Sequence, residues 1–115
     1  MLDQNRLQEF DEAKAQAEAR KQQAISEAHE AFSRTYLAEK ARHAAEYERA
    51  NAAWNAVKSN PSAKGYGKAR DEFQLSKLPA NHDRARAELN RAIRAADETY
   101  HAEVARLGKE HGMTV

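Results

Sequence analysis

The chain has 115 residues, is 32% charged and carries a net charge of +1, which excludes a global field able to recruit nucleic acid or an anionic membrane. It contains no cysteine, so disulfide and thiolate chemistry are excluded, and no run approaches the roughly 18 apolar residues of a membrane-spanning helix. Its length fits a single domain. Alanine makes up 25 of the 47 residues in the hydrophobic class, leaving few larger side chains to build a core. Abundant Ala, Glu, Lys and Arg with helical periodicity is the composition of long helices. Strong helix formers on a sustained apolar stripe separate this chain from a disordered polar one.

The first predicted helix covers residues 1–58, and the chain up to Val57 is free of proline and glycine. Spacing residues 100° apart puts Leu7, Ile25, Phe32, Tyr36, His43, Tyr47, Ala50, Trp54 and Val57 on one stripe, with Phe10 at its edge. A helix of that length would be roughly 75 to 80 Å long. Asp3 is placed to cap its first turn. Ser33 and Thr35 are weak helix formers mid-way, but the stripe keeps its phase across them, so continuity is expected. Between Asp11 and Ala24 the apolar side chains are all alanines, which propagate a helix yet bury little area.

Residues 59–67 form a basic Gly/Pro loop, opened by Ser59-Asn60-Pro61, where proline disfavours helical geometry in the residue before it. A short helix follows over 68–78, with Ala69 and Phe73 four apart and Leu78 close by. Pro79 breaks it, and Asn81 is an N-cap for the last helix at 81–108. There Ala85, Leu89, Ile93, Ala96, Tyr100, Val104 and Leu107 share one stripe, and Gly108 or Gly112 can end it. The expected architecture is all-α: a long antiparallel helical hairpin, coiled-coil-like, with a short helix at the tip. Pairing Lys58 with Asn81 sets a register in which facing residue numbers sum to about 139 or 140. In that register Leu7, Phe10 and the alanine run have no intrachain partner, and an isolated helix of that kind is marginal in water.

That unpartnered arm carries the functional expectation. Leu7, Phe10 and Ile25 are read as partner-binding residues of a non-enzymatic interaction module or small adaptor, self-associating as a homo-oligomer or docking another protein through a helix seam. The alternative is a nucleic-acid-associated protein. No acidic residue lies between Glu48 and Asp71, and Lys58, Lys64, Lys68 and Arg70 gather around Tyr66, with Arg84 and Arg91 read as a second basic group nearby. The loop lacks the spacing of a P-loop. Glu98 and His101 have the Glu-x-x-His spacing of di-iron bundles, but both face away from the stripe, so no metal or cofactor is expected. His43 and His82 lie on the stripes as packing residues, and no nucleophile–base arrangement points to catalysis. Met1-Leu2-Asp3-Gln4 has neither the basic nor the apolar region of a secretion signal, and a cytoplasmic location is expected.

Overall fold

The computed structural model describes residues 4–113, which form α1 (Gln4–Val57), α2 (Tyr66–Ser76) and α3 (Asp83–Glu110). The described residues contain no strand, and the architecture is the expected all-α helical hairpin. Asp3, expected to cap the first helix, lies outside the described residues. α1 is unbroken through Ser33 and Thr35, because no glycine or proline interrupts its hydrogen-bond ladder before Pro61.

Local chemistry sets the helix ends. After Val57 the backbone tightens, with the Asn60 amide donating to the Val57 carbonyl at 2.9 Å. The Asn60 side-chain oxygen accepts from the Ser62 amide at 3.2 Å, an Asx-type turn. Gly65, at φ 83°, supplies the left-handed residue that enters α2, a conformation that costs a side chain-free residue little. The Asn81 side-chain oxygen accepts from the Asp83 amide at 2.8 Å and caps α3 as expected. Of the two candidate stops for α3, Gly112 is the one used. It has φ 69°, and the Met113 amide reaches back to the Gly108 carbonyl at 2.6 Å, a Schellman ending.

The described chain divides into two units, one combining residues 4–32 with 85–113 and the other comprising residues 33–84. In the first, α1 packs antiparallel against α3: Phe10 meets the His111 ring at 6.1 Å, and Lys21 lies 4.9 Å from the Tyr100 ring centre. In the second, α1 packs against α2 and the segment after it: Trp54 meets Tyr66 at 5.1 Å, Tyr47 meets Phe73 at 5.9 Å and Tyr36 meets His82 at 4.3 Å.

These contacts correct the expected register. Facing residue numbers sum to about 121 in each unit, not about 140. The short helix is at the closed end as expected, but it runs back along α1 because Trp54 holds Tyr66 and Phe73 against it. The turn therefore centres on Asn60 and Pro61. The shift also removes the unpartnered N-terminal arm. Phe10 is half-buried against His111, Ile25 is half-buried, and Ala17 is buried at 2% exposure. Leu7 stays 43% exposed.

A spacing of 11 residues accounts for the seam. On α1 the half-buried positions Phe10, Lys21, Phe32, His43 and Trp54 recur at that interval, flanked by Ile25 and Tyr36 and by Ala17, Ala28, Glu39 and Ala50. On α3 the same interval links Leu89, Tyr100 and His111, Ile93 and Val104, and Ala85, Ala96 and Leu107. Eleven residues span three turns at 3.67 residues per turn, close to the natural 3.6, so a stripe with this repeat stays on one side of a nearly untwisted helix.

The core is thin. Only Ala17, Ala69, Ala85 and Leu107 among the apolar residues described are buried, and no large side chain is fully enclosed. Leu107, at 8% exposure, is the only one of the four with bulk to lose. Leu107→Ala is expected to lower unfolding free energy by about 2–3 kcal/mol. Leu37→Ala, at a position 62% exposed, is expected to cost under about 0.5 kcal/mol. Urea denaturation of both variants checks the contrast, and equal losses would mean that the seam does not run along Leu107.

Candidate interaction surfaces

In the first unit a short ion network closes one side of the seam. Lys21 Nζ lies 3.1 Å from Asp97 Oδ1, and the imidazole of His101 lies 3.4 Å from the same carboxylate. The hydrogen bond from Lys21 holds the Asp97 carboxyl below its ordinary 3.8, and the reciprocal bond holds the Lys21 ammonium above its ordinary 10.5. Desolvation pushes the Tyr100 hydroxyl up, with the nearby Glu18 charge acting in the same direction. Glu18 itself is lowered by the amide of Gln22. The other side of this unit is an open groove of about 370 Å³ floored by Ala17, Ala24, Ala92, Ala95 and Ala96. Arg20 and Glu103 form an ion pair at its edge. Lys21, Glu27, Thr99 and Tyr100 complete its lining.

In the second unit, polar contacts fix both seam histidines. His82 Nδ1 donates to Glu39 Oε2 at 2.7 Å, and His43 Nε2 donates to the Leu78 carbonyl at 2.6 Å. Each bond places the ring proton on a defined nitrogen, and the His43 bond ties the segment after α2 to α1. Phe73 is enclosed by Tyr47, Trp54 and the ammonium of Lys77, 4.4 Å from its ring centre. Leu75 and Leu78, by contrast, are 66% and 58% exposed. They line shallow grooves with Arg42, His43 and Glu46 of α1.

The residues singled out from sequence separate into groups. Phe10 and Ile25 lie in the seam of the first unit, with Leu7 near its exposed margin. Lys58 and Lys64 are exposed at the turn, and the Tyr66 ring packs on Trp54. Lys68 pairs with Glu72 at 3.9 Å and Arg70 with Asp71 at 3.3 Å, so acidic neighbours offset two cations of the basic loop. Arg84 is not near that loop. Arg84 follows His82, which packs on Tyr36, about 30 Å of helical rise from Lys58, and Arg91 belongs to the first unit. The return of α2 along α1 separates Arg84 from the loop. Glu98 is exposed, His101 is engaged with Asp97, and no group of three or more potential metal ligands occurs among the described residues. No helix among them is long and apolar enough to cross a membrane.

Sequence reasoning missed Leu75 and Leu78 as surface residues. Leu75 lies about 120° from Ala69 on a helical wheel, off the Ala69–Phe73 stripe, so its exposure was legible. Leu78 was placed near that stripe, but α2 ends at Ser76, and helical periodicity no longer directs it. No protein-family model, no curated protein and no solved structure matches this chain.

The seam network gives a pH dependence with a defined sign. A lowered Asp97 value contributes stability that is present above 3.8 and lost as pH falls through the folded value. A raised Lys21 value contributes stability that is present below 10.5 and lost as pH rises through the folded value. Asp97→Asn is therefore expected to flatten the fall in melting temperature below about pH 4, as followed by circular dichroism. An unchanged acid limb would remove Asp97 from the seam.

Proposed function

We propose that this chain is a non-enzymatic protein-interaction module that self-associates through its outer helix faces. The observation that carries this reading is the mismatch between surface and core. No large side chain is fully enclosed among the described residues, while Leu37, Leu75 and Leu78 are each more than half exposed. Three of the four buried apolar residues are alanines, so burial within the chain contributes little at about 25 cal/mol per Å². A second copy would supply apolar contact that the chain alone lacks.

The nucleic-acid reading has weaker support. Lys68 and Arg70 have acidic partners, and the remaining basic groups are spread along the chain. Phosphate binding grows with the number of backbone charges neutralised together, and a dispersed set neutralises few.

Binding of folded copies to one another makes stability depend on concentration. The melting temperature is expected to rise by more than about 5 °C over a hundredfold increase in protein concentration, with light scattering reporting a dimer or larger at the upper end. A monomeric mass and an invariant melting temperature throughout would overturn the proposal. Absorbance at 260 nm co-eluting at low salt and lost at high salt would replace it with nucleic-acid binding.

A further inference from the structure

The surface of the second unit has a pattern that selects its own partner. Along α1, Arg42, Glu46, Arg49 and Ala53 follow one another at spacings of four, three and four, placing them on one stripe. All four are exposed, and among the described residues none of the three charged ones has an ion-pair partner within the chain. Beside this stripe stand Leu75 and Leu78, both more than half exposed, with Pro79 next to them. The two leucines thus form an exposed apolar pair flanked by charges that the chain leaves unpaired.

The register puts Leu75 level with Glu46 of α1 and Leu78 level with His43, so the leucine pair is centred beside Ala44 and Ala45. Arg42 and Glu46 are centred on Ala44, half a residue from that point. Reversing α1 about Ala44 sets Arg42 opposite Glu46 and Glu46 opposite Arg42. It also sets Leu75 opposite Leu78. A parallel stack would instead oppose like charges. A two-fold interface requires a patch complementary to itself, and here the Arg42–Glu46 pair and the apolar pair meet that condition to within half a residue of one axis.

We propose that the face built from Arg42, Glu46, Arg49, Leu75 and Leu78 is a homodimer interface, in which two copies stack antiparallel, α1 over α1 and α2 over α2. This rests on the self-association proposed above and names the surface responsible. The leucines supply the apolar centre. The Arg42–Glu46 pairs exclude the parallel arrangement and fix the register, the usual role of charges at such contacts. With about eight to ten residues a side, the contact is at the small end of specific interfaces, so the dimer is expected to dissociate on dilution.

Three measurements on the full chain test the assignment. The first is the dimerisation constant by analytical ultracentrifugation. Leu75→Glu with Leu78→Glu is expected to weaken dimerisation at least tenfold, while circular dichroism on dilute protein shows unchanged helicity. The second is a charge swap: Glu46→Arg alone opposes Arg42 with arginine and is expected to weaken the dimer, and adding Arg42→Glu is expected to restore it, since the swapped pair is again complementary. The third uses the absence of cysteine. Ala45→Cys introduces the only thiol, and a short bis-maleimide is expected to cross-link two copies at concentrations where the wild type is dimeric. If the wild type associates but the leucine variant keeps its affinity and Ala45→Cys does not cross-link, this face is wrong and self-association elsewhere stands. A wild type that stays monomeric at the highest concentration overturns both.

Discussion

The packing of Trp54 against Tyr66 and Phe73 is the contact on which the arrangement of this chain depends. It lies just before the turn at Asn60 and Pro61 and makes α2 the start of the returning limb. Once α2 lies along α1, every later level follows: Phe73 on Tyr47, Leu78 beside His43 and His82 against Glu39 and Tyr36. In the other unit the same level relation places Tyr100 by Lys21 and His111 by Phe10. Aromatic pairs of this kind contribute on the order of 1 kcal/mol beyond area burial. Their larger effect here is to choose among registers that an alanine-rich seam would hold with similar energies.

A seam rich in alanine also explains the polar contacts along it. Small side chains bring little apolar area to the interface, and long polar residues occupy positions that a larger core would give to leucine. Lys21 repeats the seam position of Phe10 and Phe32, yet it lays its stem along Tyr100 and delivers its ammonium to Asp97, as amphipathic side chains do. His43 occupies the same repeat position and donates a hydrogen bond from its ring N–H to the Leu78 carbonyl. These contacts specify alignment more than they add stability, because exposed ion pairs are worth little in water.

The surface left over by so thin a core is the physical basis for the functional reading. Leu75 and Leu78 project beside Arg42, Glu46 and Arg49, three charges without an ion-pair partner among the described residues. The basic loop has a different character. Two of its cations are held by acidic neighbours and its aromatic residue is committed to Trp54, so residues adjacent in sequence do not become one site.

Much of the fold was legible in the residues. The helical stripes of α1 and α3, the continuity through Ser33 and Thr35, the stop at Pro61 and the cap at Asn81 follow from local chemistry, which depends on neighbours a few positions away. The 11-residue repeat was also present in the sequence, since Phe10, Phe32 and Trp54 display it directly. The level at which the two limbs meet was not, because a repeating seam admits several registers of similar pattern and only the packing of Trp54, Tyr66 and Phe73 selects one. That choice decided that Phe10 has a partner, that Arg84 lies far from the loop, and that Leu75 and Leu78 remain on the surface. Side-chain periodicity is a property of each helix alone, whereas register is a property of the pair.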